Sequence, residues 1–157
     1  MSKAVSDKIE IFPAELSYAG AIAGIDRECF SEPDSESTVR DLISNENIIM
    51  LVCSYGGKAV SYCSAMVVLD EAQIINVATL PEYKGRGFAY MTLCRLLESA
   101  KERGAVSASL EVRVSNAPAI HIYEKTGFKA CGVRKNFYKK PAEDAIVMVA
   151  KLYPILI

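Results

Sequence analysis

The chain has 157 residues, 51% of them hydrophobic, which is enough to bury roughly two-thirds of its unfolded surface in one domain spanning residues 1–157 and too little for two. A net charge of −1 with both signs interspersed gives no field of the kind that draws nucleic acid or membrane, and no stretch approaches the roughly 20 apolar residues of a membrane span. The five cysteines (Cys29, Cys53, Cys63, Cys94 and Cys131) are odd in number and lack C-x-x-C spacing, which argues against a disulfide framework and a zinc site. They read as reduced core residues, and with no basic-then-apolar leader at the N-terminus the expectation is a cytoplasmic protein without a metal.

Residues 8–12 alternate charged and apolar side chains before Pro13, as a first strand does. From 14 to 30 the apolar positions Leu16, Ala19, Ile22, Ala23, Ile25 and Cys29 recur at helical spacing, and a second helix is expected from about Ser35, with Val39, Leu42 and Ile43 inward. Residues 48–55 and 59–69 are β-prone runs joined across Gly56-Gly57, a pair that accepts the positive φ angles of a tight hairpin. Asp70-Glu71 turns the chain into an apolar strand over 74–79.

That strand leads through Leu80-Pro81-Glu82-Tyr83 into Lys84-Gly85-Arg86-Gly87-Phe88-Ala89 and then a helix from about Gly87 to Arg103, with Met91, Leu93, Leu96, Leu97 and Ala100 inward and Gly104 as its stop. Two glycines and a small Ala89 at a strand-to-helix turn let backbone N–H groups face an anion, so the stretch reads as a pyrophosphate cradle. It is not a Walker loop, because Phe88-Ala89 stands where Lys-Ser/Thr is needed. Nor is it a dinucleotide fingerprint, which needs a third glycine and an acidic residue about twenty positions on.

Residues 106–114 alternate strictly, with Val106, Ala108, Leu110, Val112 and Val114 on one face and Ser107, Ser109, Glu111 and Arg113 on the other. Glu111 read this way is a strand glutamate, solvated or paired with Arg113. Asn116 suits the cap of a helix starting at Ala117, with Pro118 in its first turn, running to about Lys125 and ending at Gly127. Two last strands, 128–138 and 144–152, flank a polar loop over 139–143, and Tyr153 to Ile157 form a tail whose role the sequence leaves open. His121, the single histidine, falls on a different helical face from Tyr123 and reads as solvent-exposed, which leaves a Ser-His-Asp hydrolase poorly supported.

The loop Lys84 to Ala89 resembles motif A of the GNAT acetyltransferases, Gln/Arg-x-x-Gly-x-Gly/Ala, with Lys84 in the Gln/Arg place, Gly87 as the middle glycine and Ala89 as the last small residue. Two further blocks, Leu110-Glu111-Val112-Arg113-Val114-Ser115-Asn116 and Ile122-Tyr123-Glu124-Lys125-Thr126-Gly127-Phe128, are similar to the branch that acetylates protein N-termini, the bacterial ribosomal-protein-alanine N-acetyltransferases. The similarity is strong over 73–152 and looser across the N-terminal helices.

The resemblance implies an α/β (α+β) GNAT fold: a mixed, mostly antiparallel sheet, helices on both faces, and a central strand pair splayed to admit the pantetheine arm of acetyl-CoA. It implies backbone contacts from Val77, Ala78 and Thr79 to the acetyl and pantetheine end, a pyrophosphate held by Lys84, Gly85, Arg86, Gly87, Phe88 and Ala89, and Asn116 on the far wall. Glu111 would be the general base, directly or through water, and Tyr123 the acid that protonates the departing thiolate. Plain readings stand beside these: Val77 and Ala78 as sheet core, Asn116 as a cap, and Tyr123 as a packing aromatic.

The implied acceptor is a protein or peptide N-terminus, such as that of a ribosomal protein. Asn136-Phe137-Tyr138 resembles the family's Asn-Tyr-Tyr loop beside the acceptor, so Phe137 and Tyr138 are expected to bind substrate. Pro33-Asp34-Ser35 departs from the family's Pro-Trp-Ser, exchanging an aromatic wall for the carboxylate of Asp34. That departure keeps a small-molecule amine acetyltransferase as an alternative; a noncatalytic acyl-CoA-binding module would be expected to have lost Glu111 or Tyr123.

Overall fold

The computed structural model describes residues 7–152, so the tail from Tyr153 lies outside the described residues. Its seven strands are β1 (Ile9–Pro13), β2 (Ile48–Tyr55), β3 (Lys58–Val68), β4 (Glu71–Thr79), β5 (Ser107–Arg113), β6 (Lys129–Lys139) and β7 (Ala142–Lys151), joined in one sheet of order β1-β2-β3-β4-β5-β7-β6. Every neighbouring pair is antiparallel except β4 with β5. The apolar run of β2 is buried from Ile48 to Ser54, as a strand covered on both faces must be.

Helices α1 (Ala19–Cys29) and α2 (Glu36–Ser44) cover one face, packing Ile22, Ile25 and Val39 on Val52, Tyr62 and Ala78. Helices α3 (Phe88–Glu102) and α4 (Ala117–Lys125) cover the other, where Leu93 and Leu96 meet Leu51, Ala65, Leu110 and Phe128. The mixed, mostly antiparallel α/β architecture expected from the sequence is the one observed. Among the described residues no helix is long and apolar enough to cross a membrane.

The feature that positions the site is a split in this sheet. β4 and β5 pair only at Glu71 with Ser107, Ala72 with Ala108 and Gln73 with Ser109. Beyond Gln73 the two strands carry on to Thr79 and Arg113 without pairing each other. The cause lies two residues further along β4. Ser64 of β3 opposes Asn76 while Ala65 opposes Ile74, so Ile75 is an extra residue, and a bulge of this kind bends and twists its strand out of the ladder.

Several boundaries differ from the sequence reading. The first helix begins at Ala19 after a single 3-10 turn over Leu16–Tyr18, and the 139–143 loop is a two-residue turn, since β6 reaches Lys139 and β7 starts at Ala142. Val106 and Val114, expected inward, are exposed because β5 ends before either. Of the cysteines, all unbridged, Cys53 and Cys63 are core. Cys131 is instead the exposed extra residue of a bulge on β6, and Cys29 and Cys94 are half-buried.

Candidate active site

Gly85 and Gly87 turn β4 into α3 with φ of +77° and +86°, the left-handed region in which a Cβ is strained. A Cβ at either would meet nothing within 4 Å, so the space in front of the helix is open. Gly87 is the N-cap and offers no side chain of its own to the first-turn N–H groups, which are left for an anion. Lys84 adds a cation at the same mouth. The Arg86 guanidinium lies 5.2 Å from the Tyr83 ring centroid, turned along the rim rather than into the cavity.

The cradle opens into a cavity of about 520 Å³ that follows the split sheet, with Val77, Ala78 and Thr79 on one wall and Asn116, Ile122 and Tyr123 on the other. Asn116 is both a cap, its Oδ1 accepting from the Ala119 N–H at 3.3 Å, and part of the cavity wall. Tyr123 is 8% exposed and packs edge-on against Phe128 with centroids 5.9 Å apart. Burial pushes its phenol above the usual tyrosine range, and the nearby Tyr138 and Cys63 push the same way.

Glu111 stands two residues past the end of β4–β5 pairing, on the α1/α2 side of the sheet. It does not pair with Arg113. Its Oε2 accepts from Arg134 Nε at 3.2 Å, and its Oε1 from Gln73 Nε2 at 3.1 Å, the Gln73 amide being fixed in turn by the Ser109 hydroxyl at 3.1 Å. Arg113 ties the β6–β7 turn to β5, donating to the carbonyls of Lys140 (3.0 Å) and Pro141 (2.9 Å) and to Glu143 (3.1 Å). Hydrogen bonds from Ser115 and Arg113 hold the Glu143 carboxyl below the usual range.

Near the β6–β7 turn, Asn136 (φ +53°) heads a wide bulge in β6: Arg134 opposes Ala145, yet the next pair is Tyr138 with Glu143. The bulge throws Phe137 outward, 44% exposed, and sets Tyr138 beneath the Arg113 guanidinium at 4.2 Å. Burial raises the Tyr138 phenol, Arg113 opposes that, and the Glu111 carboxylate adds to it, so Tyr138 lies within electrostatic reach of both Glu111 and Tyr123. The facing wall is the loop between α1 and α2, where Ser31 Oγ donates to the Lys140 carbonyl at 2.6 Å and the Asp34 N–H donates to Asp26 at 3.4 Å.

The sequence profile of the acetyltransferase (GNAT) family matches residues 20–128. This chain belongs to the GNAT acetyltransferases. A [ribosomal protein bS18]-alanine N-acetyltransferase of Haemophilus influenzae is 36% identical over 131 residues, which are 82% of this chain and 88% of that one. The corresponding Escherichia coli protein is 35% identical over 126 residues, 79% of this chain and 84% of its own length. The crystal structure of the ribosomal-protein-S18-alanine N-acetyltransferase from Escherichia coli superimposes with a TM-score of 0.85 at 31% identity, covering 95% of this chain and 96% of that one.

As a GNAT enzyme the protein is an acetyl-CoA-dependent N-acetyltransferase, and the site's shape is intelligible in those terms. All of the residues expected to face the cofactor line the one cavity except Arg86, whose side chain is on the rim. Glu111, Phe137, Tyr138 and Asp34 lie outside that cavity. Sequence reasoning missed Gln73 and Arg134, the partners of Glu111, along with Cys29, Phe30, Tyr90 and Lys125 on the cavity wall. His121 is exposed as expected, yet sits at the cavity mouth. Periodicity carries no signal for side chains that meet only because β6 returns beside β7.

Proposed function

We propose that this GNAT enzyme acetylates the N-terminal amine of a protein, a ribosomal protein being the acceptor its relatives' names suggest, with Glu111 as base and Tyr123 as the donor to the leaving sulfur. What supports the reading most directly is the end of β4–β5 pairing at Gln73 and Ser109, beyond which the strands part beside the cavity that Tyr123 lines, with Glu111 two residues past the last pair on β5. Val77, Ala78 and Thr79 would hold the acetyl and pantetheine end, Lys84 to Ala89 the pyrophosphate, and Asn116 the far wall. The open space before Gly85 and Gly87 fits that load.

In the reaction the neutral amine nitrogen attacks the thioester carbonyl carbon, the nitrogen's proton passes to Glu111 directly or through water, and the C–S bond breaks as the carbonyl re-forms. An N-terminal amine suits this arrangement better than a lysine. Its pKa of about 8 against about 10.4 makes the neutral form more than a hundredfold commoner at pH 7, a difference of about 3.3 kcal/mol. Tyr123 holds its proton firmly: passing it to a thiolate with an ordinary pKa of about 8.5 is already about 2 kcal/mol uphill from an ordinary phenol, and burial adds to that. Its contribution is therefore a hydrogen bond that stabilises the sulfur as it leaves.

Phe137 and Tyr138 on one side and Asp34 on the other would flank the acceptor, and unbridged cysteines fit a reducing cytoplasm. A screen of acceptors read by thiol release tests the proposal. Peptides with a free N-terminus should turn over, whereas activity confined to polyamines, amino acids or aminoglycosides would move the enzyme to the small-molecule branch that Asp34 keeps open.

A further inference from the structure

A carboxylate is buried where the chemistry above does not use it. Asp26, on α1, is 0% exposed amid Ile22, Ile25 and Val39. An ionisable group in such a place is costly unless its oxygens are satisfied, and here they are. Oδ1 accepts from the Tyr62 hydroxyl at 2.5 Å and Oδ2 from the Asp34 N–H at 3.4 Å. With its proton committed to Asp26, Tyr62 can only accept from elsewhere, and it accepts from Asn76 Nδ2 at 3.0 Å.

The polarity of this chain fixes the Asn76 amide: Nδ2 is turned to Tyr62, so Oδ1 is turned away, with no protein partner among the described residues. Asn76 lies in the part of β4 that has left β5, next after the bulged Ile75, and the Ser64–Asn76 and Tyr62–Ala78 pairs put it on the α1/α2 side of the sheet, the side of Glu111. Opposite it, the buried Ser64 hydroxyl has no partner, so this patch of the sheet holds polar capacity that the protein does not itself consume.

We propose that Asn76 is an acceptor-binding residue whose amide oxygen takes a hydrogen bond from the incoming amine, and that Tyr62 and Asp26 are positioning residues that hold it in that orientation. This rests on the reading that the amine approaches from the α1/α2 side. The three form one unit running from the loop that carries Asp34 to the strand that carries the thioester slot, so acceptor loop and slot are aligned through buried hydrogen bonds.

The test is steady-state kinetics of Asn76→Ala and Tyr62→Phe with an alanine-initiated peptide as acceptor, and with spermidine if the wild type proves to prefer free amines. Asn76→Ala should raise the acceptor KM about tenfold, the upper end of what a neutral hydrogen bond contributes, while the acetyl-CoA KM stays put. Tyr62→Phe should move the acceptor KM the same way by less, and the double variant should match Asn76→Ala alone. Should both KM values hold while only thermal stability drops, or should the two effects simply add, the assignment is overturned. Loss of peptide activity in wild type is a separate result that bears on the proposed function alone.

Discussion

Glu111 is held at both oxygens before any acceptor arrives, by Gln73 and Arg134, which fixes the direction of its lone pairs. Glu111→Gln keeps the shape and removes the proposed base, so turnover should fall by about 10²–10⁴ with acetyl-CoA affinity unchanged. Equal rates for variant and wild type across pH would take Glu111 out of the mechanism. For Tyr123 the sign of its shift makes a sharper forecast. A phenol raised in the folded state stays protonated past pH 10, so it cannot cause a fall in rate on the alkaline side below that. Tyr123→Phe should lower turnover evenly, its pH profile parallel to wild type; an alkaline limb at pH 8–9 that vanishes in the Phe variant would contradict this.

At the strand-to-helix turn over 84–89, backbone geometry rather than side-chain chemistry is the constraint. At Gly87, φ of +86° strains any side chain and a Cβ would project into the cradle, so Gly87→Val should weaken acetyl-CoA binding strongly with a smaller loss of stability. Unchanged affinity by calorimetry would refute the cradle. The α1–β3 contact offers a test through pH. Burial raises the Asp26 carboxyl in the folded state, against hydrogen bonds from Tyr62 and the Asp34 N–H that lower it. A raised pKa gives stability that is complete below the unfolded value of about 3.9 and is lost as pH rises through the folded one. Melting curves of wild type and Asp26→Asn should therefore diverge as pH climbs from about 4, the wild type losing ground; parallel curves would contradict the shift.

Across the whole molecule the sequence exposed the order of elements and the cradle, because both are written in local spacing: alternation in 106–114, apolar residues at helical intervals in α3, glycines at the turn. It did not expose what depends on two distant segments meeting. The bulge at Ile75 that splits the sheet, the Arg134 that finds Glu111, and the exposed Cys131 are consequences of register, which a single strand does not reveal. The same holds for acceptor charge. Asp34 is half-exposed, so the selection of a basic residue near the amine proposed for it would be worth up to about 1 kcal/mol, or about fivefold between rates for basic and neutral peptides, and Asp34→Trp should reduce it; equal rates in the wild type would rule it out.

The split in the sheet is proposed to deliver acetyl to an N-terminal amine. This is tested most directly by incubating the enzyme and acetyl-CoA with an alanine-initiated peptide that also contains lysine, and locating the acetyl group by mass spectrometry. The α-amine should be modified, with no acetyl on the lysine and none on the same peptide when its N-terminus is blocked; acetyl-lysine in the blocked peptide would move the acceptor from the N-terminus to the side chain.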